Sequence, residues 1–253
     1  MTGLLFKELR QNRRMFPAAI LLPILAAFLP IPVQLSFDHT AKDVIPSLNE
    51  DGLMTRLIML FAAAALLSQC IRIALGQDES KKWAYFTISH PKGYRAQVYM
   101  KYVLTFMLLG LFFVSAYYSD MLLQMLFWHS TGEELISFLN LLPFLFFFQL
   151  LMQAFSIPFI FRFGSKNGSN MLAVFLLILV LAAVIFLLFG PDGGYGALVD
   201  AAEELLIRLG NGELNGAFAV IAGAFPLAAA AAYIGSYFLS CRFYLKGVAE
   251  YVK

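Results

Sequence analysis

The chain has 253 residues, is 60% hydrophobic, and carries only 13% charged residues and a net charge of +2. Soluble domains run at about 45–50% apolar and about 25% charged, so the composition excludes an ordinary water-soluble fold and points to a polytopic helical membrane protein. The net charge says little by itself, and no nucleic-acid partner is expected; where the charges lie is more informative.

The chain opens with GLLFKELRQNRR, in which Leu4, Leu5 and Leu9 alternate with Lys7, Arg10 and Arg13. This pattern predicts an amphipathic elbow helix at a membrane surface, leading into a first span near Met15–Val33. A basic flank before an apolar run also describes a signal peptide, but five more runs follow and no cleavage site is evident, so a retained helix is expected. Pro17, Pro23, Pro30 and Pro32 crowd this run and predict bends.

Further spans of about 20 apolar residues fall near Leu53–Leu75, Tyr102–Trp128, Leu135–Phe161, Met171–Phe189 and Ala217–Leu239. Arg56 and Arg72 bracket the second and are expected to snorkel to opposite faces. Asp120 lies 19 residues past Lys101, roughly 28 Å along a helix. That places it near a membrane surface, with Tyr117 and Tyr118 forming an aromatic belt. In the fourth run Gln149, Gln153 and Ser156 share a helical face near mid-membrane; they either hydrogen-bond a neighbouring helix or line a translocation path. Before the sixth run, ALVDAAEELLIRLG within Gly196–Gly210 predicts an amphipathic surface helix. In the sixth, Ala224, Ala228, Ala232, Ser236 and Ser240 recur every fourth residue and predict close helix packing. Cys70 and Cys241 lie in or beside apolar runs and are expected as free core thiols.

Charge sorts these segments. With the N-terminus cytoplasmic, Met1–Arg14, Gly76–Lys101, Arg162–Asn170 and Ser240–Lys253, counting Arg72, hold 15 of the 18 Lys and Arg. Lys42, Arg56 and Arg208 fall outside, together with eleven acids. Basic segments stay in the cytoplasm, so six spans with both termini inside, in a single transmembrane domain over residues 1–253, are expected.

No phosphate loop, zinc-protease motif, Cys/His metal spacing or nucleophile elbow occurs. GSKNGSN at Gly164–Asn170 has glycines and a lysine at the wrong spacing. His129 and Glu133 can share a helix face but form no expected metal site. No catalytic or metal-binding residue is predicted, and an enzyme is not expected.

The polar stretch Gln77–Arg95 is cytoplasmic by the same charge sorting. Asp78 or Ser80 can cap a helix that Pro91-Lys92-Gly93 ends, and Trp83, Phe86 and His90 fall at i, i+3 and i+7. An aromatic ridge there either dips into the headgroups or anchors a partner. From Asp78 to Tyr102, through Ile88-Ser89-His90-Pro91-Lys92-Gly93-Tyr94-Arg95 and Lys101-Tyr102, the stretch resembles the loop between spans two and three of bacterial type-two ABC exporter permeases. It is similar to the six-span permeases of phenol-soluble-modulin exporters, departing at His90, where an apolar residue is common.

The resemblance implies an all-α permease subunit in the bacterial cell membrane that pairs with a second permease subunit, homo- or heterodimeric, and binds a separately encoded ABC ATPase. It implies that Gln77–Arg95 forms a coupling helix, with Trp83 and Phe86 gripping the ATPase, Lys81 and Lys82 at the rim, and His90 following. ATP and Mg would then sit on the partner, with no cofactor in this chain. The acid-rich outer side suggests a cationic amphipathic peptide as cargo. A non-transporting scaffold or immunity-type protein docking a cytoplasmic partner is the alternative.

Overall fold

The computed structural model describes residues 2–32, 52–76, 93–131, 138–139, 141–189 and 217–251. Among these the architecture is entirely helical: α1 (Thr2–Gln11), α2 (Met15–Phe28), α3 (Gly52–Gly76), α4 (Gly93–Thr131), α5 (Leu142–Phe189) and α6 (Ala217–Tyr251). Five helical stretches are long and apolar enough to cross a bilayer: Met15–Pro32, Thr55–Gly76, Gly93–His129, Leu142–Ser165 and Gly223–Leu245. With no water in the hydrocarbon layer, backbone groups must be satisfied within each segment, and a helix does this. The chain is therefore a multi-pass helical membrane protein. The expected helices at Gln77–Pro91 and Gly196–Gly210 lie outside the described residues.

Two boundaries move for physical reasons. The third span is expected from Tyr102, but α4 begins at Gly93, because Ala96, Val98 and Met100 give the polar-looking stretch a buried face. Gly93 itself has φ +61°, a left-handed entry that glycine adopts without steric cost. The fourth span is expected from Leu135, but α5 starts at Leu142. Phe138 is buried outside the helix with its N–H committed to a side chain, and Pro143 suits a first turn, where an N–H has no helical partner.

The fourth and fifth expected runs both fall in α5, which is broken at Gly164 (φ 82°, ψ 167°). That conformation belongs almost only to glycine. Four residues on, a Cβ built on Gly168 would stand 2.6 Å from the carbonyl oxygen of Phe159 and 2.9 Å from the Cα of Ile160. The chain thus breaks at Gly164 and packs backbone against backbone at Gly168.

The chain divides into two compact units, Met1–Ala74 with Tyr99–Gln149, and Leu75–Val98 with Leu150–Lys253. In the first, Leu67, Leu104, Leu108, Leu109 and Phe112 are buried, and Leu123 packs against Ala27, Phe28, Ile31 and Phe127. Pro23 has no N–H for the carbonyl one turn back. Within that turn the carbonyl of Ile20 accepts a hydrogen bond from Ser115 Oγ of α4 at 2.8 Å. In the second unit, Tyr94 stacks on Tyr244 (centroids 6.0 Å, 9° between planes), and Phe161 meets Tyr244 edge-on at 5.8 Å.

Gly168→Ala places a methyl inside another turn's backbone and is expected to destabilise by about 1–3 kcal/mol; Gly164→Ala is expected to cost a similar amount, about 1–3 kcal/mol. Gly235→Ala, where a Cβ meets nothing within 4 Å, should be neutral or better. Thermal unfolding of the purified chain in detergent checks all three.

Candidate functional site

A charge facing hydrocarbon is costly, so it stays only where a partner neutralises it. Along α4 two charged side chains are buried, Lys101 at 1% and Asp120 at 5% exposure. No charged residue stands between them in the sequence. Their 19-residue separation is roughly 28 Å of helix, close to the hydrocarbon thickness of about 30 Å. Each holds a partner from another part of the first unit.

At the Lys101 end, Nζ lies 2.9 Å from Glu8 Oε2 and donates to the Ala74 carbonyl, also at 2.9 Å. Glu8 is fully buried. Asn12 Nδ2, one turn on, donates to the Glu8 carbonyl at 3.0 Å and to Oε2 at 3.4 Å. Lys7 stands 3.7 Å from the other carboxylate oxygen. Thr105 Oγ1 donates back to the Lys101 carbonyl at 2.9 Å. One ammonium therefore joins α1, the end of α3 and α4. The amphipathic pattern of the N-terminus predicts its leucines as the inward face, yet the most deeply buried position on α1 is an acid, because a lysine lies opposite.

At the other end, Arg56 Nη2 donates to Asp120 Oδ1 at 2.8 Å. Asp120 Oδ2 accepts from the Phe138 backbone N–H at 3.1 Å and from Gln124 Nε2 at 3.2 Å. The Arg56 guanidinium lies 4.6 Å above the Phe138 ring, a cation–π contact. Beside the pair is a cavity of about 30 Å³ lined in part by Pro23, Leu60 and Ala116, room for a water molecule. The expectation for Arg56 is corrected: it does not snorkel to a surface but is 4% exposed. Asp120, expected near a membrane surface, is 5% exposed and faces that arginine, while Tyr117 and Tyr118 beside it are exposed. Depth along the helix was readable; the facing arginine, 64 residues away, was not.

Gln149, Gln153 and Ser156 are all buried. Gln149 belongs to the first unit, where its amide donates to the Ala64 carbonyl at 3.2 Å and to Ser68 Oγ, which itself donates to Ala64 at 3.1 Å. This ties α5 to α3 by interhelical hydrogen bonds. Gln153 and Ser156 belong to the second unit. On α6 the five small residues divide: Ala224 and Ala228 are exposed, Ala232 is half-buried, and Ser236 and Ser240 are buried. A step of four residues overshoots a helical turn by about 40°, so the stripe winds around the helix. The buried seam instead runs Ala229, Tyr233, Ser236, Ser240. Trp83, Phe86, Lys81, Lys82 and His90 lie outside the described residues. Cys70 and Cys241 are free thiols. No group of three or more His, Cys, Asp or Glu gathers among the described residues.

Removing one member of a buried pair strands the other. Asp120→Leu or Arg56→Leu alone should each destabilise by about 3–5 kcal/mol, whereas the double variant should recover most of that loss. Equal, additive losses in a double-mutant cycle, read by denaturant unfolding in mixed micelles, would show that the two side chains do not depend on each other.

Comparison with known proteins supplies a family. Residues 3–245 match the profile described as ABC-2 family transporter protein. No curated protein and no solved structure matches the chain.

Proposed function

The chain belongs to the ABC-2 family of transporter proteins, and we propose that it is the membrane subunit of an ATP-driven exporter moving an amphipathic substrate, such as a cationic peptide, out of a bacterial cell. A permease of this family is a membrane component and not itself the catalyst of ATP hydrolysis. The family match over nearly the whole chain carries the reading, and the multi-pass helical architecture agrees with it.

The finer layout follows from charge. The apolar stretch Met171–Phe189 lies in α5 beyond the Gly164 break, and counting it as a span gives six, with both termini cytoplasmic. That orientation puts the Lys101–Glu8 pair at the inner face and the Arg56–Asp120 pair at the outer. α1 then acts as an elbow helix at the inner surface. The segment of residues 77–92 becomes the coupling element, Trp83 and Phe86 seating in a groove of a separate ATPase with Lys81 and Lys82 at the rim and His90 at the exit toward Gly93. Gln149 is committed to α3, so the polar residues left on α5 for a path taking polar parts of the cargo are Gln153 and Ser156. A second permease subunit completes the transporter, and ATP and Mg belong to the ATPase chains.

Replacing both Trp83 and Phe86 by alanine should sever coupling, since each buried aromatic anchor is worth about 2 kcal/mol or more. The check is co-purification of the ATPase with the double variant from native membranes. Full recovery of an ATPase with undiminished turnover would count against the docking role, and absence of any nucleotide-binding subunit from wild-type complexes would favour a non-transporting membrane scaffold. In reconstituted vesicles of neutral lipid, cationic amphipathic peptides should raise the ATPase rate of the complex; no response to any of them would remove peptides as the cargo class.

A further inference from the structure

In the first unit the lipid-facing surface between α4 and the start of α5 hollows into a groove of about 460 Å³. Gly110, Phe113, Tyr117 and Tyr118 form one wall, and Phe146 and Phe147 the other. Its floor is rigid aromatic packing: Phe113 meets Phe146 edge-on (5.4 Å, 88°), and Phe146 meets Phe147 in the same way (5.2 Å, 80°). Gly110 keeps it open, because a Cβ there would meet nothing within 4 Å.

The two buried ion pairs fix its depth. Counted from Lys101, Gly110 lies roughly 14 Å and Tyr118 roughly 26 Å along α4. The groove thus runs from the middle of the hydrocarbon layer to the interface at the Asp120 end, the depth of one leaflet. At its shallow end the exposed rings of Tyr117 and Tyr118 stand where tyrosine hydroxyls meet the ester and headgroup region.

Its lining selects among occupants. An extended peptide would bring backbone N–H and C=O groups into a trough walled almost entirely by carbon, leaving them unsatisfied. A helix from a second copy would need small residues for close backbone approach, whereas five aromatic rings hold any helix axis away. A hydrocarbon chain needs no hydrogen bond and bends to fit. We propose that the groove is a specific site for one acyl chain of a membrane phospholipid, drawn from the leaflet at the Asp120 end, with its ester region beside Tyr117 and Tyr118. This site does not rest on the exporter reading.

The full chain in phosphatidylcholine nanodiscs, doped with phosphatidylcholine carrying a photoreactive diazirine on its acyl chain, tests it. After irradiation, adducts at Phe113, Phe146 and Phe147 should exceed those at the exposed residues Leu21, Leu25 and Leu66 by about tenfold, the ratio for a preference near 1.4 kcal/mol. Gly110→Leu fills the groove from its α4 wall and should bring that excess down to the background of the exposed residues. Val114→Phe, at an exposed rim position, should do the same and serves should the leucine variant fail to accumulate. Labelling spread evenly over all lipid-facing residues, or an excess untouched by both variants, overturns the site. Spontaneous disulfide linkage of two Tyr118→Cys chains in the membrane also overturns it, because a second copy would then be the occupant.

Discussion

A hydrocarbon layer about 30 Å thick tolerates charge only when it is paired, and in this chain that constraint acts on one helix. α4 carries Lys101 and Asp120 at the two ends of an uncharged stretch of about the same length. Each draws in partners that no local interaction would bring near. Lys101 collects Glu8 of α1 and the Ala74 carbonyl near the end of α3. Asp120 collects Arg56 near the start of α3 and the backbone of Phe138 just ahead of α5. α3 is therefore held at both ends against the opposite ends of α4, which sets the two helices antiparallel and fixes their register to within a turn. Between the two clamps, Gln149, Ser68 and Ala64 bind α5 to the middle of α3. Apolar packing then fills a frame whose axial positions are already chosen.

That packing could not choose the register alone. Leucine and phenylalanine gain little by leaving lipid for a neighbouring helix, so contacts in hydrocarbon are weakly selective. An unpaired ammonium or carboxylate at the same depth is strongly unfavourable, and a slip of one turn, about 5.4 Å, breaks the pair. Specificity here follows from the cost of the alternatives more than from the strength of the contact, the sense in which buried polar groups fix registers elsewhere.

The sequence shows this fold unevenly, and the reason is range. Span existence is a property of 20 neighbouring residues, and among the described residues five of the six expected apolar runs overlap a helical stretch long and apolar enough to span. Partner identity is not local: Arg56 and Asp120 are 64 residues apart in the chain, and Lys101 pairs with an acid in the first helix. Arg56, Lys101 and Asp120 each stand at the edge of an apolar run, where a lone charge reads equally well as snorkelling or as paired; the two tyrosines beside Asp120 indicate its depth, and only the facing arginine shows that it is paired. The α6 stripe is only partly buried for a different reason. A strict spacing of four does not match 3.6 residues per turn, so a regular pattern in the text becomes a winding one on the helix. The buried, non-helical position of Phe138 ahead of α5 is invisible because the acceptor of its N–H, Asp120, lies 18 residues away in the sequence.

The same frame constrains how such a subunit can move. Any rearrangement that separated either pair would expose a charge to hydrocarbon, so α1, α3 and the middle of α4 are restricted to motions that keep both closed. Motion must then be taken up where the chain lacks such ties. Gly93, with its left-handed φ, is one such point, at the junction between the polar segment of residues 77–92 and α4. Gly164, where α5 breaks, is another. In the exporter proposed here, an impulse received by the polar segment would enter α4 eight residues before Lys101 and pass through that lysine to α1 and α3 together. Under that proposal, the lysine buried against a glutamate from the first helix and a carbonyl from the third would give a coupling element a stiff receiver.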